Sequence, residues 1–452
     1  MDATTERLVD FTLRAEYAAL DATTVHACKL RLIDTFACAF GAYSDPLCAM
    51  ARAIAKRHTG APGATVWGSN LQSAPETAAF ANGVMLRFLD ISDTSLGKGG
   101  GHPSDVISAI LAVGESIGAV GASVINAITL AYDVYCSLNN AVDIAALGWD
   151  QTLYAMMGSV AGTGKLLRLS REQMGNAVSL ALTPNMALRQ TRSGDLSSWK
   201  GCAGANAARN AVFAAYLAQE GFTGPAEPFE GKAGLWNALG PFDWRLPEVP
   251  GETRKIAETH LKSLPICYHG QSAALSALDM RARLNVPDVR EIHVEAYPAA
   301  VAMMGNDATR WAPTTRETAD HSMPYVIAIA LLDGAITERS FAPGRLTDPA
   351  VIDLMRKVKV STSTTLSGGF PEAAPSRVSI KMASGELLTQ ENNYPKGHAK
   401  NPMRDDEVEE KFREFFRAHG DAQQCAKILQ SVWNFEQAAD VGKDVIKLLA
   451  VH

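Results

Sequence analysis

A change in hydrophobic pattern near residue 245 divides this chain of 452 residues and restricts the folds that it can adopt. Before that point apolar residues recur at helical spacing, as they do over residues 106–117. The proline- and glycine-rich stretch "GPFDWRLPEVPGE", residues 240–252, then interrupts the pattern. Beyond it, "REIHVEAYP" and "RKVKVST" alternate apolar and polar residues as strands do. The sequence therefore predicts a helical region followed by a region that mixes helices with strands.

Helical spacing returns near the end of the chain. In "RDDEVEEKFREFFRAH" four apolar residues from Val408 to Phe416 fall on one stripe, so this helix needs an apolar surface to pack against. We infer that the tail returns to the helical region. The expected fold is mainly α with an α+β second domain. A large all-helical domain takes residues 1–250 and 400–452, and a smaller α+β domain with a small mixed or antiparallel sheet takes residues 251–399.

The charge balance and the apolar segments exclude several kinds of partner. A net charge of -6 gives no basic field for nucleic acid. The apolar window over residues 116–132 contains polar residues and lies between Glu115 and Asp133, which indicates a buried helix rather than a membrane span. The opening "MDATTERLVD" does not resemble a signal peptide, and seven cysteines without a CxxC pair fit a reducing compartment. We expect a cytoplasmic protein that acts on a small molecule, without nucleic acid or membrane partners.

The stretch "LDISDTSLGKGGGHPSDVI", residues 89–107, concentrates chemistry around a glycine-rich connector. It is not a Walker phosphate loop, because the lysine is followed by glycine and the preceding segment looks helical. Instead, Asp90 and Asp93 end one helix and His102 begins the next, where free N–H groups attract a carboxylate and His102 can move a proton. The alternative is that Asp90, Asp93 and Ser104 only cap two consecutive helices.

Three further clusters lie on either side of the boundary near residue 250. Lys200 opens an alanine- and glycine-rich helix, at the end where the helix dipole disfavours a cation, which suggests an external anion. The alternative, a solvated basic face of this helix, explains Lys200 equally well. "LKSLPICYHGQ" contains Lys262 and His269, and "TTRETADHSMPYVIA" contains His321 and Tyr325. A lone histidine is more often structural, but two such segments near a domain boundary favour an interdomain cleft.

The inventory of lysines, arginines, histidines and tyrosine favours acid/base chemistry on a polycarboxylate. Removing a proton beside a carboxylate needs cationic groups to stabilise the developing charge, a base, and an acid for the leaving hydroxyl. The sequence contains no G-x-S-x-G nucleophile elbow and no H-E-x-x-H metal motif.

Six blocks in order resemble the MmgE/PrpD family. They are "LRLIDTFACAFGAY", "ANGVMLRFLDISDT" with "HPSD", "GWDQTLYAMMGSVAGTGKLLRLS", "SGDLSSWKGCAGANAARNAVFAAYLAQEGFTGP", "KSLPICYHGQS" and "ETADHSMPYVIA". The resemblance implies a large helical domain built from both chain ends, a smaller α+β lid, an active site in the cleft and a homodimer. It also implies that no metal or organic cofactor is required.

The resemblance implicates particular residues of this chain. Those expected to be catalytic are His102, Asp93, Tyr325, Lys200 and His269, and those expected to bind substrate are Asp90, Thr94, Lys98, Lys262 and Gln271. Asp150 stands where decarboxylase members carry histidine, which favours the dehydratase-like branch. Lys98, Gly99 and Gly100 stand where dehydratase members of the family usually carry a larger acidic and aromatic pair. We therefore expect a changed pocket lining in which Lys98 sets specificity.

The expected activity is that of a cofactor-independent hydro-lyase that dehydrates a hydroxy-tricarboxylic acid such as 2-methylcitrate. A decarboxylase or epimerase acting on a related polycarboxylate, of the cis-aconitate or iminodisuccinate type, is the alternative within enzymes. A catalytically silent polycarboxylate-binding protein is the alternative outside them.

Overall fold

The computed structural model describes residues 1–60, 62–194, 196–251 and 255–451. Glu252, the last residue of the predicted connection, lies outside the described residues. The first part of the chain is helical, as its apolar spacing predicted. Its helices are α1 Ala3–Arg14, α2 Ala22–Ala42, α3 Pro46–Ala55, α4 Pro75–Phe88, α5 Ile107–Ser116, α6 Gly121–Ala141, α7 Thr152–Leu166, α8 Arg171–Leu182, α9 Trp199–Gln219 and α10 Leu235–Leu239.

Two features of the sequence explain how these helices begin and pack. Ser170 and Gln173 form a capping box at the start of α8, each side chain bonding the other residue's backbone N–H. Small residues let α4 and α9 approach closely, since a Cβ added to Gly83 would lie 2.8 Å from the Cβ of Ala205. This close approach places the end of α4 beside the beginning of α9, where the candidate site lies.

Two-residue strands form two small hairpins in the helical part. They are β1 Ala64–Thr65 with β2 Gln72–Ser73, and β3 Ser95–Leu96 with β4 Gly100–Gly101. The second hairpin contains the glycine-rich connector of the sequence. Among the described residues no helix combines the length and apolar character needed to cross a lipid bilayer.

The second part of the chain mixes helices with a four-stranded sheet, as predicted. Its strands are β5 Val289–Ala296, β6 Val358–Thr362, β7 Ser376–Met382 and β8 Leu387–Asn392. The order is β6-β5-β7-β8, with β6 parallel to β5 and the other neighbours antiparallel, so the sheet is mixed. The helices of this part are α11 Lys255–Glu258, α12 Gln271–Arg281, α13 Pro298–Met304, α14 Arg316–Ala319, α15 Met323–Asp333, α16 Pro343–Leu346, α17 Pro349–Met355 and α18 Thr364–Ser367.

The tail forms α19 Asp405–Phe416, α20 Ala422–Trp433 and α21 Val441–Asp444. Apolar residues of α19, α20 and α21 belong to the same core as those of α1 to α10, whereas the sheet and α12, α15 and α17 build a second core. Ile256 and Leu261, which the predicted boundary assigns to the second domain, pack in the helical core. The division of the chain at residues 250 and 400 stays a prediction.

Candidate active site

A cavity of about 570 Å³ lies where the helical part meets the second part. Its wall takes residues from the end of α4 and the β3–β4 hairpin, from the beginning of α9, and from the segments around residues 262–269 and 299–321. Seven of the residues predicted for the site lie in this wall: Asp90, Thr94, Lys98, His102, Lys200, Lys262 and His269.

Asp90 is a buried carboxylate surrounded by cations. It follows α4 with a φ of 54°, a left-handed conformation that aspartate tolerates better than most residues. Its Oδ1 accepts from Arg87 Nη1 at 2.8 Å and from Lys262 Nζ at 2.6 Å, and its Oδ2 accepts from Lys200 Nζ at 3.0 Å. Burial favours the neutral acid, but these three cations outweigh it and hold the pKa of Asp90 well below its usual value. Asp90 therefore remains charged and fixes the cations around it.

Lys200 joins Asp90 to a second buried acid. Its Nζ lies 3.2 Å from Asp320 Oδ1 and 3.3 Å from His321 Nδ1. Asp90, Asp320 and His321 form a group that could in principle hold a metal ion. The ammonium of Lys200 contacts all three side chains and takes the position of a cation between them. This group is consequently a poor fit for a metal ion.

His102 presents an unprotonated nitrogen to the cavity. Its Nδ1 lies 2.8 Å from the carbonyl oxygen of Asp93, so Nδ1–H donates there and Nε2 carries a lone pair. Thr94 Oγ1 lies 3.3 Å from the same Nδ1. Burial, followed by the charges of Arg87 and Lys262, lowers the pKa of His102 well below its usual value. The ring is neutral at neutral pH and can accept a proton at Nε2.

Asp93, for which a catalytic role is predicted, does not line the cavity. Its Oδ1 accepts from the backbone N–H of Ser104 at 2.9 Å, and its Oδ2 accepts from the hydroxyl of Tyr132 at 2.8 Å. The side chain thus ties down the turn after His102 while the backbone of Asp93 orients the imidazole. Burial raises the pKa of Asp93. The geometry makes Asp93 a positioning residue.

His269 is held by a buried tyrosine. The hydroxyl of Tyr297 lies 2.6 Å from His269 Nδ1. Among the described residues, His269 Nδ1 is the hydrogen-bond partner of this hydroxyl. Because a buried O–H group needs an acceptor, the hydroxyl donates to Nδ1, and the ring proton of His269 is on Nε2. Burial lowers the pKa of His269 to about 4, with smaller contributions from His321 and Lys262. His269 is therefore a neutral hydrogen-bond donor in the cavity wall.

Two predicted residues point away from the cavity. Tyr325 lies on α15, which is apolar on every side, and its hydroxyl donates to the carbonyl of Ser340 at 2.5 Å inside the second core. Gln271 donates to the carbonyl of Leu264 at 2.8 Å and stabilises the loop before α12. Both residues belong to segments that lie near the predicted domain boundary in the sequence. Local packing nevertheless turns their side chains away from the cavity. The catalytic role predicted for Tyr325 and the substrate contact predicted for Gln271 stay predictions that this geometry does not support.

The structure adds cavity residues that were not in the predicted set, among them Arg87, Arg189, Arg310 and His321. Nδ1 of His321 hydrogen-bonds Asp320, and its Nε2 lies 3.7 Å from Asp90 Oδ2. Burial and Lys200 oppose a charged ring, but Cys267 and Asp320 outweigh them and raise the pKa of His321. The adjacent pair Asp320 and His321 was the signal in the sequence, because an acid beside a histidine stabilises the imidazolium.

Comparison with known proteins identifies the family of the chain. Residues 6–245 match the MmgE/PrpD N-terminal domain, and residues 264–435 match the MmgE/PrpD C-terminal domain. The chain belongs to the MmgE/PrpD family. The 2-methylcitrate dehydratase of Cupriavidus necator is 28% identical over 422 residues, which cover 86% of this chain and 85% of that protein.

Two further relatives of the chain have different named activities. The 2-methylcitrate dehydratase of Salmonella typhimurium is 27% identical over 87% of this chain and 85% of its own length. The cis-aconitate decarboxylase of Homo sapiens is 26% identical over 85% of this chain and 82% of its own length. The relatives thus include both hydro-lyases and a decarboxylase.

Proposed function

We propose that this MmgE/PrpD protein is a cofactor-independent hydro-lyase that dehydrates a hydroxy-tricarboxylic acid such as 2-methylcitrate. The observation that carries the proposal is a pair of histidines that line one cavity, flank the carboxylate of Asp90 and have pKa values shifted in opposite directions. The neutral His102 has its Nε2 3.8 Å from Asp90 Oδ1, and His321, whose pKa is raised, has its Nε2 3.7 Å from Asp90 Oδ2. Dehydration needs such a base and such an acid on one substrate. The dehydratase names of the relatives support this reading.

In the first half of the reaction, Nε2 of His102 removes a proton from the carbon next to a substrate carboxylate. Negative charge then develops on that carboxylate. Lys200, Lys262 and the Nε2–H of His269 line the same cavity and stabilise this charge as it forms.

In the second half, Nε2 of His321 protonates the leaving hydroxyl. The carbon–oxygen bond breaks, water departs, and the electron pair left by the removed proton forms the carbon–carbon double bond. His102 finishes protonated and His321 neutral, and both return to their starting states by exchange with solvent. Asp90 lies between the two rings and compensates the charge on whichever one carries the proton.

The test is a spectroscopic assay of the conjugated acid that dehydration produces. With 2-methylcitrate or citrate we expect ultraviolet absorbance to rise, and we expect His102→Gln to reduce kcat by about 10²- to 10⁴-fold. His293→Gln is the matched control, because His293 lies on β5 and hydrogen-bonds Ser361, away from the cavity. Release of carbon dioxide, or exchange of solvent deuterium without loss of water, would instead identify a decarboxylase or an epimerase.

The family resemblance also supports a homodimer as part of this proposal. Light scattering during size-exclusion chromatography tests it, and a monomer mass would contradict it.

A further inference from the structure

Arg310 is a buried cation in the cavity wall that forms no ion pair with any described carboxylate. Its side chain is nearly inaccessible, with 4% exposure, yet its Nη1 has no hydrogen-bond partner among the residues that the structure describes. Its Nε donates to the carbonyl of Met303 at 3.4 Å, and the side chain forms no ion pair with any described residue. Asp307 also lines the cavity and its charge interacts with Arg310, but the two form no ion pair, and the carboxylate of Asp307 accepts hydrogen bonds from the backbone N–H and hydroxyl of Thr309.

Four other cations of the cavity bond to carboxylates, whereas Lys98 and Arg189, like Arg310, form no ion pair with a described residue. Arg87, Lys200 and Lys262 each bond to Asp90. Arg192 bonds to Asp150, with its Nε 2.9 Å from Oδ2. A buried charge that lacks a partner is destabilising because it has lost its hydration without gaining a counter-ion. Arg310 interacts electrostatically with Asp307 but bonds to no carboxylate among the described residues, so its guanidinium keeps the capacity to bind an anion that enters the cavity.

The backbone of Arg310 is hydrogen-bonded to the residue that follows the proposed acid. The hydroxyl of Ser322 donates to the carbonyl oxygen of Arg310, and Ser322 directly follows His321. Ala299, Ala302 and Met303, from α13, form the neighbouring part of the wall and offer no charge of their own. An anion in this part of the cavity has the guanidinium as its recognition group.

We propose that Arg310 binds one carboxylate of the substrate, distinct from the carboxylate beside Lys200 and Lys262, and thereby selects tricarboxylates over dicarboxylates. The planar guanidinium matches a carboxylate through two parallel hydrogen bonds, which a lysine does not reproduce. The inference rests on the proposed function for the identity of the ligand as a polycarboxylate.

Calorimetric titration with non-reacting acids tests this inference without catalysis. The probes are propane-1,2,3-tricarboxylate, glutarate, which lacks the central carboxylate, and methylsuccinate, which lacks one terminal carboxylate. Arg310→Gln should raise the Kd of the tricarboxylate about tenfold or more, because a charge-assisted pair is lost. The same substitution should change the Kd of at least one dicarboxylate less than about twofold, since that acid has no group for Arg310 to bind.

Arg281→Gln is the matched control. Arg281 lies on α12 outside the cavity wall, and its Nε is likewise buried without a hydrogen-bond partner in the described part of the chain, so we expect unchanged binding of all three acids. Thermal unfolding of each variant checks the fold. Arg310→Lys is the second variant, which keeps the charge but not the fork, and should bind the tricarboxylate with intermediate affinity.

An equal Kd for the tricarboxylate in wild type and both Arg310 variants would overturn the inference, as would failure of the wild type to bind it. Equal weakening of all three acids would also overturn it, because Arg310 would then have no selective role. Arg310-dependent binding without dehydration of 2-methylcitrate would support the carboxylate site while refuting the proposed function.

Discussion

At the level of single residues, the pKa values of His102 and His321 are shifted in opposite directions because the neighbours of the two rings differ. Burial and nearby cations lower the pKa of His102, whereas Cys267 and Asp320 raise the pKa of His321 against burial and Lys200. His102 can act as a base only when its ring is neutral, so this activity is lost only as pH falls through its lowered pKa. His321 can act as an acid only when its ring is protonated, so this activity is lost as pH rises through its raised pKa.

We therefore expect kcat/KM to decline on the alkaline side as His321 loses its proton, and to persist on the acidic side below the usual titration range of histidine. A pH profile of the wild type and of His321→Gln measures this. The variant should have a lower kcat and should lack the alkaline decline that His321 causes. If the same decline remains in the variant, His321 is not the acid.

Part of the candidate site could be predicted from the sequence. Helix ends and family motifs were sufficient to select Asp90, His102, Lys200 and Lys262, which the structure places in one cavity. They could not show that Lys200 is bonded to Asp90, 110 residues away, because that pairing depends on how α4 packs on α9. They also could not show that Tyr325 faces the second core, since the direction of a side chain on a wholly apolar helix depends on its neighbours.

At the scale of elements, the glycine-rich connector is an ordered hairpin rather than a pliable loop. The N–H of Gly97 donates to the carbonyl of Gly99 at 3.0 Å, and the N–H of Gly99 donates to the carbonyl of Asn139 at 3.0 Å. Lys98 Nζ donates to the carbonyl of Ala141 at 3.2 Å. The hairpin is thus attached to the end of α6. Helices and strands were predictable from periodicity, but a hairpin of two-residue strands has no periodic signal.

Gly99→Ala should destabilise this hairpin and reduce kcat/KM. A Cβ at Gly99 would lie 2.5 Å from Tyr154 Oη and 2.8 Å from Asn139 Oδ1, so we expect a loss of about 1–3 kcal/mol in the free energy of unfolding. Gly100→Ala is the control within the same hairpin, because its added Cβ meets its nearest atom at 4.0 Å. Urea denaturation and steady-state kinetics measure both variants. Equal stability of the two would contradict the close packing inferred for Gly99.

At the scale of the whole molecule, Lys411 connects distant parts of the chain beside the candidate site. It lies on α19, and its Nζ bonds Asp34 Oδ1 at 2.6 Å and the carbonyls of Ile91 and Lys262 at 2.9 and 3.0 Å. Burial opposes its charge, but Asp34 outweighs burial and raises the pKa of Lys411. One ammonium therefore joins the tail, α2, the segment after Asp90 and the segment that carries Lys262.

Lys411→Met should reduce stability and activity together. The substitution leaves Asp34 as an unpaired buried charge, so we expect a loss of about 3–5 kcal/mol in the free energy of unfolding. Freeing the carbonyls of Ile91 and Lys262 should also misplace Asp90 and Lys262, which lowers kcat/KM. Adding Asp34→Leu removes the orphaned charge and should recover most of the stability, because both partners are then apolar. Activity should recover less, since the two carbonyls remain without a donor, and full recovery of both would show that Lys411 has no role in positioning the site.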